Sequence, residues 1–234
     1  MNVKIIAHTP EPEKVIASAA KLCYSSAADI DTLMGNLTPE KTRAFVEKLE
    51  SLGHESPFEH VSFTFAIEGV SRVLTHELVR HRLASYSQRS QRYISEEQFE
   101  YYTPPTIASS AFEKDYDEVI KREKNLYEIM VKNGIPKEDA RMVLPNATHT
   151  RIIVTMNVRT LWNFYRLRCC QRAQLEIRTL AYRMLKLCQE FSPILFKHAG
   201  PACMKGYCPE GNMSCGLYPT LEEVLKVYNQ HKNL

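Results

Sequence analysis

Arginines crowd the stretch RHRLASYSQRSQRY, Arg80 to Tyr93, where four of them stand with one histidine, three serines and two glutamines in a segment too polar for a core. The whole chain carries fifteen arginines and fifteen lysines. Thirteen of the arginines fall within Arg72–Arg92 and Arg141–Arg183, whereas no lysine occurs between Lys48 and Lys114 or between Lys137 and Lys186. Solubility requires only charge and would not sort the two cations. A guanidinium offers five fixed donors, stays charged when partly desolvated and meets phosphate or carboxylate bidentately, which an ammonium on a flexible stem does less well. The expected chemistry is a cleft for several phosphates, assembled from two distant segments. A second cluster lies near the end of the chain, where His198, Cys203, Cys208 and Cys215 offer one imidazole and three thiols. They could build a tetrahedral zinc site, but the spacing lacks the usual C-x2-C pair, and a reduced, partly buried thiol cluster is the competing reading.

Composition bounds what can surround these residues. At 234 residues, 44% hydrophobic and 24% charged, the chain is expected to form one globular domain with a single sizeable core. Its formal charge of +3 comes from 30 cations against 27 anions, so a basic patch must arise from arrangement, and a general nucleic-acid coat is disfavoured. No apolar run approaches the roughly 20 residues of a membrane span, and MNVKIIAHTPEPEK lacks the apolar core and cleavage site of a signal peptide. The expectation is a cytoplasmic protein without membrane contact. Seven cysteines, with Cys169 and Cys170 adjacent, fit reduced thiols better than a disulfide framework.

The elements that position the arginines can be read from periodicity. VKIIAH predicts a strand, and PEKVIASAAKLCY a helix opening on a proline. From Thr38 to Leu52 a helix is expected, with Thr38 as cap, Pro39 at its first position, Phe45, Val46, Leu49 and Leu52 apolar, and Gly53 as its stop before His54. VSFTFAIEG alternates, with Val61, Phe63, Phe65 and Ile67 on one face, and predicts a half-buried strand. Ser71 can cap a helix SRVLTHELVRHR whose Arg72, His76 and Arg80 form one stripe leading into the polar loop. A long helix is expected from Ser110 to Asn133 on Phe112, Tyr116, Val119, Ile120, Tyr127 and Met130, closed by Gly134. Pro136 starts a short helix bearing Arg141, which Pro145 ends. THTRIIVTMN predicts another strand, and Thr160 can cap a helix through LWNFYRLR, continuing toward Phe191, with Asn163 and Arg168 on separate faces. The order suggests an α+β domain with a largely antiparallel central sheet covered by long helices.

Arg80-His81-Arg82, seven residues and then Ser90 form the R-H-R-x7-S signature of the flavin-dependent thymidylate synthases, a family this chain resembles in four blocks. GHESPFEH at Gly53–His60 resembles the family's histidine segment, ARMVLP at Ala140–Pro145 its phosphate-binding arginine, and NVRTLWNFYRLR at Asn157–Arg168 its second ligand-binding block. The blocks occur in the family's order between about Thr38 and His198.

The resemblance implies an enzyme that makes dTMP from dUMP, with methylenetetrahydrofolate as one-carbon donor and FAD, reduced by NADPH, as hydride source. It implies FAD contacts from Ser56, Arg80, His81, Arg82, Gln88, Asn157, Arg159 and Asn163. Contacts to dUMP are implied for Glu77, Leu78, Val79, Arg80, Gln88, Arg89, Ser90, Gln91, Arg92, Arg141 and Arg168, with Arg92 and Arg141 on the phosphate. Arg168 would stabilise negative charge on the uracil ring so that C5 becomes nucleophilic, which is electrostatic catalysis by a preorganised donor. His54 would position substrate or assist proton transfer. No enzyme cysteine is required at C6, unlike the cysteine-dependent synthase, and Ser90 is a ligand contact. Residues 1–200 would form the catalytic domain and 201–234 a cysteine-containing extension packed on it, with chains assembled as homotetramers that share active sites. Gln88 stands where some members carry an acidic residue.

Competing readings attach to the same residues. Arg89 can be a surface residue, His54 a helix-end cap, His60 and His76 structural, and Trp162, Phe164 and Tyr165 core packing. Arginines interleaved with Tyr86 and Tyr93 could bind RNA by backbone contact and stacking. Another flavin-dependent reductase is the third possibility. Flavin colour and dTMP formation discriminate among the three.

Overall fold

The computed structural model describes residues 1–27, 29–35, 37–205 and 208–216. Its elements follow the order β1 (Asn2–His8), α1 (Pro12–Leu22), α2 (Ile30–Gly35), α3 (Pro39–Ser51), β2 (Ser62–Ser71), α4 (Arg72–Leu78), β3 (Ala84–Gln88), α5 (Pro105–Ala108), α6 (Glu113–Lys132), α7 (Lys137–Ala140), β4 (His149–Asn157), α8 (Val158–Arg168) and α9 (Leu175–Phe191). A 3-10 turn, Ser56–His60, precedes β2. The sheet runs β1-β2-β4-β3 and is antiparallel throughout, so the α+β expectation holds. Its register can be read from single bonds: the Thr9 amide donates to the Ser62 carbonyl at 3.0 Å, and the Arg89 amide to the Arg151 carbonyl at 3.0 Å.

The chain forms two compact units. One comprises Met1–Asn2, Ala66–Arg80 and Tyr86–Val154, and the other Val3–Phe65, His81–Ser85 and the chain from Thr155 onward. In the second unit the alternating face of β2 behaves as the period-2 pattern requires, with Val61, Phe63 and Phe65 fully buried. Each such phenylalanine stabilises by roughly 1.5–3 kcal/mol through area removed from water. Thr38 caps α3, its hydroxyl accepting from the Lys41 amide, and Gly53 leaves the helix at φ +70°, where a Cβ would be strained. In the first unit α6 runs to Asn133 and Gly134 stops it at φ +87°.

Several expectations are corrected. The helix after Ser71 ends at Leu78, so Arg80 lies beyond it and the stripe from Arg72 through His76 is not continued. The polar segment is not all loop: ASYSQ forms β3 on the sheet edge, a position that tolerates a short polar strand. The cap of α8 is Asn157, whose Oδ1 accepts from the Thr160 amide at 2.8 Å, and Thr160 itself lies inside the first turn. That helix stops at Arg168 instead of running on, and α9 starts afresh with Gln174 accepting from the Glu176 and Ile177 amides. Leu52, Phe112 and Val119, read as core from periodicity, are exposed.

Candidate active site

In the first unit, arginines from distant segments gather as the sorting of cations predicts. The Arg92 Nε donates to the Glu138 carboxylate at 2.8 Å, and the Arg141 Nε donates to the Glu138 carbonyl at 3.0 Å. One residue of α7 thus tethers both arginines expected to hold phosphate. Arg141 and Arg89 lie close enough to act on Arg72, whose guanidinium is held below the usual arginine value first by burial, with Glu96 opposing and then Arg141 and Arg89 adding to the depression. Like charges are kept together at a cost that a bound anion would relieve. Arg72 also shapes the site, because its Nη2 donates to the Arg89 carbonyl at 2.8 Å. Its buried Nε has no hydrogen-bond partner among the described residues. Sequence reading placed Arg72 only on a helix stripe and missed this role; the signal available was its membership of the lysine-free segment.

The loop after β3 is fixed by a relay. Gln88 Nε2 donates to Thr75 Oγ1 at 2.9 Å, and Thr75 Oγ1 donates to the Arg72 carbonyl at 2.9 Å, tying the end of β3 to α4. The Arg92 amide donates to Ser90 Oγ at 3.1 Å, which forms the turn around half-buried Gln91. Arg89 pairs at 3.5 Å with Glu96, a buried carboxylate whose pKa is raised by burial. Arg89 is therefore more than a solvated surface residue. Glu77 is half-buried, Leu78 belongs to the core and offers a ligand only its backbone, and Val79 is exposed at the end of α4. Arg80 follows it, exposed and making no ion pair among the described residues.

In the second unit Arg168 and His81 meet. The Arg168 Nε donates to His81 Nε2 at 3.1 Å, which requires a neutral imidazole with its proton on Nδ1. Burial, and then the Arg168 charge, push His81 down to about 4, so it stays an acceptor at neutral pH. The ring is wedged edge-on against Phe164 with centroids 5.0 Å apart. His81, expected on the cofactor, is here the group that orients Arg168. Arg168 lines a cavity of about 580 Å³ with the chain that follows it. His54 does not reach that cavity. It is exposed in a different one, of about 560 Å³, beside Tyr24, Phe45 and Leu52.

The remaining residues implied for the flavin occupy the same unit. Arg159 is exposed on the first turn of α8, its Nε donating to Glu55 at 3.2 Å and its Nη1 to Glu59 at 2.5 Å. Ser56 is exposed on the 3-10 turn that carries Glu59, and Arg82 is exposed without an ion pair among the described residues. Asn163 accepts from Arg166 Nη2 at 2.9 Å, and Asn157 accepts as a cap, so both keep amide N–H donors for a ligand. Guanidinium, hydroxyl and amide donors of this kind fit the pyrophosphate and ring edges of a flavin dinucleotide. Trp162 packs on Phe58 and donates to the Leu195 carbonyl at 2.8 Å, while Phe164 and Tyr165 are fully buried; all three are packing residues. Tyr86 is likewise committed, donating to the Leu78 carbonyl at 2.8 Å, with burial pushing its phenol up to about 12. That removes one of the two stacking faces on which RNA binding relied.

The zinc quartet is not assembled. Among the described residues no group of three or more His, Cys, Asp or Glu side chains is placed to hold a metal ion, and His198 is exposed and does not line the pocket that the three tail cysteines share. No helix of the described residues is long and apolar enough to cross a membrane.

Comparison with known proteins agrees with this geometry. The family model described as thymidylate synthase complementing protein matches residues 4–194. A flavin-dependent thymidylate synthase of Clostridium tetani is 51% identical, covering 97% of each chain. The Geobacter sulfurreducens protein of that name is 48% identical over 92% of this chain and 94% of its own, and that of Nitratidesulfovibrio vulgaris 47% identical over 93% and 95%. A match across most of the chain means that this chain belongs to the family of the thymidylate synthase complementing proteins.

Proposed function

We propose that the chain is a flavin-dependent thymidylate synthase, converting dUMP to dTMP with methylenetetrahydrofolate as one-carbon donor and with NADPH as the source of reducing equivalents. The observation that carries this reading is the tethering of Arg92 and Arg141 to Glu138, near half-buried Arg72 on which the Arg141 and Arg89 charges act, in a chain of this family. These guanidiniums take the nucleotide phosphate. The loop Gln88–Arg92 and the backbone of Glu77–Arg80 frame the nucleotide.

Arg168 acts on the pyrimidine. Held by neutral His81, its guanidinium aims fixed donors at the ring edge where negative charge grows as C5 attacks the one-carbon unit, and a preorganised donor is worth more there than in water. His81 is thus a positioning residue. FAD, when bound, would supply the hydride, and no enzyme cysteine is then required as a nucleophile at C6. Ser56, Arg80, His81, Arg82, Gln88, Asn157, Arg159 and Asn163 would hold the flavin, and His54 would position substrate or assist proton transfer. Residues 1–200 would house this machinery and the tail from residue 201 would extend it; residues 206–207 and 217–234 of that tail lie outside the described residues.

The active enzyme is a cytoplasmic homotetramer in which subunits complete one another's sites. Supporting this, Val119, Leu126 and Ile129 recur on one face of α6 and are exposed in the single chain, apolar surface of the kind that assembly covers.

The test is the visible spectrum of purified protein, followed by turnover. Yellow protein that bleaches anaerobically with NADPH and then forms dTMP from dUMP and methylenetetrahydrofolate bears the reading out. Bleaching without dTMP would assign a reductase of another substrate, and protein that stays colourless after incubation with FAD would end the proposal.

A further inference from the structure

The cavity beyond Arg168 has a feature that the synthase reaction leaves unused. Its walls are the connection between α8 and α9 on one side and the tail on the other, and besides buried Cys169 four thiols line it: Cys170 from the connection, Cys203, Cys208 and Cys215 from the tail. Cys170, Cys203 and Cys208 are partly exposed and Cys215 is exposed, in contrast to Cys169 and Cys188, which are buried in the core with their thiols driven well up. Arg166, Arg168 and Arg172 line the same cavity. Partly exposed thiols can be reached by an oxidant from solution, whereas core thiols cannot.

The two walls are already pinned together. Arg172 of the connection donates from Nη1 to the Met213 carbonyl at 3.1 Å and pairs through Nε with Glu210 at 3.2 Å. The tail is therefore held against the connection that carries Cys170, and thiols from both walls face one cavity. Among them Cys203, raised mainly by burial, is the one on which Cys170 acts ahead of Cys208 and Cys215. A metal ion would need three or four ligands around one point, and no such group exists among the described residues; a disulfide needs two.

We propose that Cys170 and Cys203 are a redox-sensitive dithiol whose oxidation to an intrachain disulfide clasps the tail to the α8–α9 connection. With a low-molecular-weight disulfide as oxidant, the Cys170 thiolate attacks one of its sulfurs, forming a mixed disulfide and expelling one thiolate. The Cys203 thiolate then attacks the Cys170 sulfur, forming the internal bond and expelling the second thiol. Two protein thiols lose two electrons and two protons, and one small disulfide becomes two small thiols. The clasp closes two residues from Arg168. It does not depend on the arginines being a nucleotide site.

The test uses the full-length protein incubated with oxidised glutathione, alkylated at remaining thiols and digested with trypsin. Mass spectrometry is expected to find the peptide Cys169–Arg172 joined to His198–Lys205, with the link abolished by dithiothreitol. It should persist in Cys169→Ser and vanish in Cys170→Ser and in Cys203→Ser, each checked for native circular dichroism. Alkylation of all four cavity thiols after oxidation would overturn the proposal. So would glutathione retained on Cys170 without an internal link, persistence of the link in Cys170→Ser, or one equivalent of zinc in the purified protein that is released when these thiols are titrated with a mercurial.

Discussion

Two arginines in this chain have different work, and kinetics can separate them. Arg168→Ala removes a donor aimed at developing charge and is expected to lower kcat by roughly 100- to 1,000-fold, the usual cost of losing one such donor. Arg141→Ala removes a phosphate contact and is expected chiefly to raise the KM for dUMP, by about tenfold for a charge-assisted hydrogen bond of about 1.5 kcal/mol. Steady-state kinetics on both variants check the division; equal losses in kcat would refute it. His81 adds a pH signature. Folded, its imidazole titrates at about 4, against 6.5 for the ordinary side chain. Between those values the unfolded chain binds the extra proton, so stability is full above about pH 6.5 and falls as pH drops toward 4, by up to about 3 kcal/mol. Urea melts across that window should show the slope in the wild type and a shallower one in His81→Gln, which still offers Arg168 an acceptor but does not titrate.

At the scale of elements, α8 joins architecture to chemistry, because Asn157 both caps it and was assigned to the flavin. Asn157→Ala is expected to cost about 1 kcal/mol of stability through the lost cap. Asn157→Asp keeps the accepting oxygen and should melt near wild type while binding FAD less well, since it has lost the amide donors. Thermal melting and flavin occupancy after dialysis distinguish the two functions; equal occupancy in wild type and Asn157→Asp would remove Asn157 from the flavin site. Helix ends in this chain divide by how they are signalled. Thr38 with Pro39, and Gly53 and Gly134, are punctuation whose backbone preferences act locally, and all lie where periodicity put them. The break between α8 and α9 has no such mark: R-C-C-Q-R-A-Q contains neither glycine nor proline, and a glutamine supplies the cap. Nor does ASYSQ announce a strand, since its pairing is supplied by β4 from more than sixty residues away.

At the scale of the molecule, the exposed apolar face of α6 carries its own prediction. Leu126→Glu places a charge in the middle of Val119 and Ile129 and is expected to shift the protein from tetramer toward smaller species in sedimentation velocity, with little change in the melting of the single chain. An unchanged tetramer would remove that face from the interface. Sequence by itself determined the α+β class, the alternating strands, the capped helices and the family, because strand period, turn residues and a motif of fixed spacing are properties of short stretches of chain. It also determined that the two segments holding Arg72, Arg89, Arg92 and Arg141 carry arginines and no lysines. Only the tertiary structure decided that Glu138 gathers Arg92 with Arg141, that His81 accepts from Arg168, and that Cys170 takes the place among the tail thiols that His198 was expected to fill. The Arg92–Glu138 and Arg168–His81 bonds join side chains far apart in sequence, set by how helices and strands pack, and no local preference encodes which distant group will lie about 3 Å away.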